Sequence, residues 1–262
     1  MTAVPPAAAA GATPFDGELA LVTGAGRGIG RAVAVQLAAA GARVALLARS
    51  LTQLDETAKM IKDQGGAAGV FPADAGDPGQ LGSALAQVGK DMGPVSILIN
   101  NAAVVAPLGP TVNVRMDEWS AAFAVNVGAV VQLTIGLLPS MLERGWGRIV
   151  NVSSGIAANP AQMTGMNAYA SSKAALEAHS LNLAAELAGT GVTVNVYRPG
   201  SVDTTMQAWI RDQAPEAIGA DLHEHFRRNY ETGALITPER SARALIGHLT
   251  GDDTGQVWLF SK

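Results

Sequence analysis

The sequence predicts an α/β fold, one domain built on a mostly parallel β-sheet with helices on both faces. Seven short strand-like runs alternate with helix-like segments along the 262 residues. The first run leads directly into a glycine-rich turn and then a helix, and apolar residues recur at helical spacing from Ala168 to Ala188. The length is sufficient for a single large domain with a substantial core.

The elements follow in order. Met1–Gly17 is rich in Ala and Pro and lacks the basic start and long apolar stretch of a signal peptide, so residues 1–17 are expected to be a loosely packed extension of a domain covering 18–262. Leu19–Thr23 is an apolar run typical of a buried parallel strand. It opens into Gly24-Ala25-Gly26-Arg27-Gly28-Ile29-Gly30, after which Ala32, Val33, Leu37 and Ala40 read as a helix. Strand, glycine turn and helix N-terminus make an anion site, because backbone N–H groups and the helix dipole converge where no Cβ obstructs them. Further strands are expected at Arg43–Ala48, Ala68–Pro72, Ile97–Asn100, Arg148–Val152, Val192–Tyr197 and Gln256–Phe260. Between the last two, Thr205–Thr237 breaks the rhythm with Trp209, Pro215, Gly219, His223, Phe226 and Tyr230, and reads as an irregular insertion of the kind that forms lids. Its aromatics either suit an apolar ligand or pack the lid onto the domain.

Composition narrows the partners. A formal net charge of −4 with scattered Lys and Arg offers no footprint for nucleic acid or an anionic membrane surface. Without cysteine there are no disulfides, thiolate nucleophiles or cysteine-ligated metals. The longest apolar stretch, Val125–Leu138, is interrupted by Asn126, Gly128, Gln132 and Thr134, so no membrane span is expected and a cytoplasmic location is the default. His223 and His225 would fall on different sides of a helix, and no metal site is expected from them or from His179 and His248.

The chemistry-bearing residues are Tyr169 and Lys173, one helical turn apart, with Ser153 and Ser154 upstream. A phenol, an ammonium and a hydroxyl can together stabilise an alkoxide. An ammonium about 4 Å away contributes about 4 kcal/mol at an effective dielectric of about 20, enough to bring a phenol from a pKa of about 10 towards neutrality.

The turn does not match G-x-G-x-x-G, whose last glycine would fall on Ile29 or Arg31; it reads T-G-x-x-x-G-x-G from Thr23 to Gly30. With Asn100-Asn101-Ala102, Asn126, Ser154, Tyr169-x-x-x-Lys173 and Pro199-Gly200 in the same order, the chain resembles the short-chain dehydrogenase/reductase family over roughly residues 18 to 260. The resemblance implies a Rossmann-type doubly wound sheet of seven strands in the order 3-2-1-4-5-6-7, with ligands beyond the strand C-termini. It also implies a nicotinamide cofactor, held by Thr23, Gly24, Arg27, Gly28, Ile29 and Gly30 at the pyrophosphate and by Asp74, Asn101 and Ala102 around the adenine. Pro199, Gly200, Val202 and Thr204 would bind the carboxamide, and Tyr169 and Lys173 the nicotinamide ribose.

By the same resemblance Tyr169 exchanges a proton with the substrate oxygen, Ser154 orients that oxygen, Lys173 lowers the phenol pKa, and Asn126 holds a water linking Lys173 to solvent. Ser154 lies about two residues further from Tyr169 than is usual in the family, so Gly155–Asn167 is expected to form a longer loop beside the substrate. The family position that carries an acid in NAD-preferring members is Ala48 here, with Arg49 beside it and Arg27 nearby, which predicts NADP(H). The substrate would be a small carbonyl compound, ketone, aldehyde or 3-oxoacyl thioester, or the corresponding alcohol. An NAD(H)-dependent alcohol dehydrogenase and a non-catalytic NADP(H) sensor are the alternatives. Ala103 replaces a usual glycine, and Gly255–Phe260 lacks the closing Asp-Gly-Gly through which family tetramers commonly touch. A homodimer or homotetramer could still form through the helices around Asp117–Glu143 and Ala168–Ala188.

Overall fold

The computed structural model describes residues 13–260. Its strands are β1 (Leu19–Thr23), β2 (Arg43–Ala48), β3 (Ala68–Pro72), β4 (Ile97–Asn100), β5 (Gly147–Val152), β6 (Val192–Arg198) and β7 (Val257–Leu259). They pair in parallel as one sheet in the order β3-β2-β1-β4-β5-β6-β7. The helices are α1 (Gly28–Ala39), α2 (Leu51–Asp63), α3 (Pro78–Met92), α4 (Met116–Phe123), α5 (Ala129–Arg144), α6 (Asn167–Glu186), α7 (Thr205–Arg211), α8 (Pro215–Ile218), α9 (Ala220–Glu231) and α10 (Pro238–Leu249).

Alternation along the strands divides the apolar side chains between two cores. Ala20 and Val22 of β1, Val44 and Leu46 of β2, and Ile97 and Ile99 of β4 pack with α1, α2 and α10. Leu19, Leu21, Ala45, Leu47 and Leu98 pack on the opposite face with α3, α5 and α6. Helix starts are chemically marked. Asp77 caps α3 by accepting from the N–H groups of Gly79 and Gln80, with Pro78 at the first position, and Thr237 with Pro238 does the same for α10.

Three segments differ from expectation. Residues 1–12 of the proposed extension lie outside the described residues, but Thr13–Gly17 is a turn rather than loose chain. Phe15 is only 2% exposed and belongs to the α1-side core, and its backbone N–H bonds the Ala40 carbonyl at 3.0 Å. Burying one phenylalanine is worth about 1.5–3 kcal/mol, which anchors this turn to the body. Secondly, Thr205–Thr237 is mostly helical, folding as α7, α8 and α9 rather than as an irregular loop. Its tip rests on two glycines of the body: Gly109 donates to the Gly165 carbonyl at 2.8 Å, and a Cβ on either would press into lid backbone, at Ala217 O (2.5 Å) or Ile218 O (2.8 Å).

Thirdly, a π-type turn at Ala124–Gly128 joins α4 to α5, so Met116–Arg144 runs as one helix, with a mean hydropathy of 1.9 in its most apolar window. By length and composition this stretch is sufficient to cross a bilayer, despite its polar interruptions. Its buried residues Ala129, Leu133, Leu137 and Met141 instead complete the core beneath β5.

Candidate active site

The family motifs gather where β1 and β4 diverge, at the C-terminal edge of the sheet. They line a cavity of about 360 Å³. Gly24, Arg27, Gly28, Ile29, Arg49, Asp74, Asn101, Ala102, Tyr169, Lys173, Pro199 and Thr204 all face it. Gly24 and Gly28 adopt positive φ values of +66° and +55°, the left-handed region open to glycine. A Cβ on Gly24 would sit 2.8 Å from Asn101 Nδ2. The turn is braced from behind: Arg31 donates through Nε to the Gly26 carbonyl at 2.9 Å, and Thr57 Oγ1 donates to the Ala25 carbonyl at 3.0 Å. These two were missed by motif reading because they act from helices outside the turn.

Thr23, Gly30, Asn126, Ser154, Gly200 and Val202 do not line the cavity, whereas Ser153 does. Thr23 Oγ1 accepts from the N–H groups of Asn101 and Ala102, both at 3.0 Å, and so joins the β1 and β4 ends. Gly30 lets α1 pack against the turn, since a Cβ there would collide with Gly24 O. Gly200 lies beside Ile236 and Phe260, and Val202 is buried in a parallel bridge to Ile236.

On α6, Tyr169 and Lys173 are almost fully buried, 9% and 2% exposed. Lys173 Nζ donates to the Val152 carbonyl at 2.7 Å and stands 5.7 Å from the centre of the Tyr169 ring. Burial pushes the Tyr169 phenol up to about 12, against a lowering hydrogen bond with Ser154. Burial also brings the Lys173 ammonium down to about 8, opposed by the negative charge of Glu177. The phenol was expected near neutrality, so this is a correction for the cofactor-free protein. Desolvation of a fully enclosed phenol exceeds the pull of an ammonium that is itself buried and engaged with a carbonyl.

The two serines are separated by their partners. Ser154 meets the phenol, whereas the Ser153 hydroxyl donates to Glu177 Oε1 at 2.6 Å. Asn126 is fully buried: its Oδ1 accepts from Val104 N–H at 2.8 Å, and its Nδ2 donates to Val104 O and Ser172 Oγ, both at 2.9 Å. Both amide hydrogens are therefore committed, and a water held for Lys173 would rely on the backbone of the π-type turn. Ser172, the residue before Lys173, is a partner that no motif marked.

At the end of the cavity beside β2, the Arg49 side chain is 67% exposed and lies 3.9 Å from Asp74, while Arg27 immediately precedes α1 at the cavity wall. The lid closes over Tyr169 through an apolar cluster: Ile210, Ile218, Leu222 and Phe226 of the lid meet Val105, Ile156 and Met166 of the body. Phe226 is thus a packing residue, and Trp209 and Tyr230 are exposed, away from the cavity. Tyr230 instead carries the Arg211 guanidinium over its ring at 4.2 Å. His223 and His225 both lie on α9, His223 against the Arg211 carbonyl and His225 against Asn229.

Comparison with known proteins agrees with this architecture. The short chain dehydrogenase family model matches residues 18–215. The chain is 34% identical to the 2,3-dihydro-2,3-dihydroxybenzoate dehydrogenase of Bacillus subtilis, over 90% of this chain and 93% of that one. It is 36% identical to the 3-oxoacyl-acyl-carrier-protein reductase of Salmonella typhimurium, over 79% of this chain and 83% of that one. Among solved structures, a single-residue variant of actinorhodin polyketide ketoreductase with NADPH superposes with a TM-score of 0.84 at 32% identity, covering 95% of this chain and 97% of that one. With the T-G-x-x-x-G-x-G turn, the Tyr–Lys pair and the strand order all in place, the chain belongs to the short-chain dehydrogenase/reductase family of oxidoreductases.

Proposed function

We propose that the protein is an NADP(H)-dependent reductase of uncharged ketones or aldehydes, able to run in reverse on the corresponding alcohols. The observation that carries this reading is the enclosure of the Tyr169 phenol, beside Ser154 and Lys173, in the same cavity that the glycine turn enters. Gly24 and Gly28 leave the close backbone approach that a pyrophosphate needs. A bound nicotinamide dinucleotide supplies the hydride that the substrate carbon gains. Tyr169 gives its proton to the carbonyl oxygen in reduction and takes it back from the alcohol in the reverse direction, and burial favours the protonated phenol in the resting site. Ser154 hydrogen-bonds the same oxygen. Lys173 supplies positive charge beneath the phenol and donors for the ribose hydroxyls. The apolar cluster joining the lid to Tyr169 favours an uncharged substrate, and it excludes water from the reacting oxygen.

The choice of NADP(H) is supported by Ala48, which puts no acid where a 2′-phosphate would lie, and by Arg49, which is only loosely tied to Asp74. Arg49→Ala is expected to raise the NADPH KM by roughly tenfold or more, the loss of one charge-assisted contact, with little change for NADH. Turnover measured with both cofactors at matched concentrations tests it, and a clear NADH preference in the wild type would overturn the assignment. Ser154→Ala is expected to reduce turnover by about 10²-fold, the usual cost of one donor to a developing oxyanion, and Ser153→Ala by far less. The reverse ranking refutes the serine assignment. Exposed Met116, Ile135 and Leu142 on the α4–α5 helix and Leu181 on α6 support pairing of subunits through these helices.

A further inference from the structure

Tyr169, Lys173 and Glu177 follow one another at intervals of four on a single face of α6. Each meets a different one of three consecutive residues at the end of β5. Tyr169 meets Ser154, Lys173 Nζ donates to the Val152 carbonyl at 2.7 Å, and Ser153 Oγ donates to Glu177 Oε1 at 2.6 Å. Two rungs of this ladder are the proposed acid–base pair. The third lies further along α6, where Glu177 is 8% exposed, and it is tied to a third element: Arg198 at the end of β6 donates through Nε to Oε1 at 2.8 Å and through Nη2 to Oε2 at 2.6 Å. Arg198 directly precedes Pro199, which lines the cavity. Ser153 is pinned from its other side as well, its N–H bonding the Tyr197 carbonyl at 2.8 Å.

We propose that Glu177, clamped by Arg198, is a positioning residue that holds the Lys173 ammonium and the Ser153–Ser154 strand end in register with Tyr169. The inference rests on the carbonyl-reductase reading above. A buried ion pair is weak evidence for stability alone, since apolar replacements of similar volume are often as stable. Here the carboxylate lies one helical turn from a lysine that needs a counter-charge. Burial brings Lys173 down to about 8 and the Glu177 charge opposes it, so the carboxylate extends the pH range over which the lysine stays charged. Arg198 works in the opposite sense by partly neutralising that carboxylate. Other charges on elements packed against α6 lie elsewhere: Arg148 is at the start of β5 with Asp252, Asp117 of α4 is on the surface with Arg115, Glu118 is exposed beside it, and His179 and Glu186 are further along α6.

Two variants with opposite expected signs test the proposal. In ketone reduction, Glu177→Gln is expected to move the alkaline limb of kcat/KM to lower pH by roughly one unit and to lower kcat by about tenfold at neutral pH, with KM little changed. Arg198→Met, which leaves the Glu177 charge unneutralised, is expected to move the limb to higher pH. A purely structural role would leave both limbs in place or move them the same way, and either result overturns the proposal. If Glu177→Gln does not fold, Arg198→Met alone decides it, because an unmoved or lowered limb contradicts the assigned role.

A ligand-free measurement separates this from the activity reading. Between about pH 8 and the ordinary lysine pKa of 10.5, the unfolded chain retains a proton that folded Lys173 has released, so Lys173 makes stability rise with pH across that window. The rise is read as the difference between wild-type and Lys173→Met melting curves, and in the Glu177→Gln background it should begin at lower pH. An unshifted rise overturns the proposal even if the enzyme is active. Failure of the wild type to reduce any ketone, with the stability shift present, would instead count against the reductase reading alone.

Discussion

Tyr169→Phe is expected to lower kcat for ketone reduction by about 10³-fold while leaving NADPH affinity within about twofold. The substitution removes one oxygen and keeps the ring, so the packing against Ile156, Met166 and the lid cluster survives. What disappears is the proton donor. Burial holds the proton on the phenol, and among the described residues no other acid is placed to replace it: Ser154 carries an alcohol, and Lys173 is directed at the Val152 carbonyl. Turnover over a panel of aryl, aliphatic and cyclic ketones, with NADPH binding followed separately by fluorescence, tests the expectation. Residual activity within tenfold of wild type would remove Tyr169 from the acid role. Unchanged NADPH binding with no ketone reduced, even by the wild type, would favour a cofactor sensor.

The second large effect concerns the backbone. Gly30→Ala is expected to cost about 2–4 kcal/mol of stability and to abolish measurable cofactor binding. The added Cβ would collide with the Gly24 carbonyl and lie 2.5 Å from Asn101 Nδ2, and neither can retreat easily. Gly24 is fixed by its left-handed conformation, and Asn101 Nδ2 donates to the Thr23 carbonyl at 2.9 Å. One methyl group therefore strains the turn, the β1 end and the β4 loop together. Gly247→Ala is the matched control, since nothing lies within 4 Å of its added Cβ and its helical position should gain about 0.5–1 kcal/mol. Thermal melts of the two variants should move in opposite directions; if Gly30→Ala melts with Gly247→Ala, the close packing of turn on helix is refuted.

Most of the sheet was legible because buried parallel strands are short, apolar and bounded by turn residues, and all seven strands lie within one residue of their expected limits. The last is shorter, Val257–Leu259, because pairing with β6 involves three register positions. The glycine turn and the Tyr169–Lys173 pair were legible because their chemistry fixes both residue type and spacing. Phe15 was not, since a lone aromatic in an Ala/Pro-rich stretch carries no periodicity. The lid helices were obscured by Pro215 and Gly219, which mark helix starts and ends as readily as loops. The phenol's pKa could not be read from spacing at all, because it depends on enclosure supplied by residues from the lid and from Gly155–Asn167. Glu177 and Arg198 sit 21 residues apart and meet only once β6 lies beside α6.

The lid tip settles onto Gly109 and Gly165 through main-chain atoms, Ala217 O and Ile218 O facing the two bare α-carbons. At the tip the nearest approach is therefore made by peptide groups, and side chains join behind it. Exchanging the inward residues of α7 and α9 would reshape the chamber over Tyr169 but would also cut into the apolar cluster of Ile210, Leu222 and Phe226, so the peptide contact sets where the tip lands and the side chains set how firmly the hatch is held.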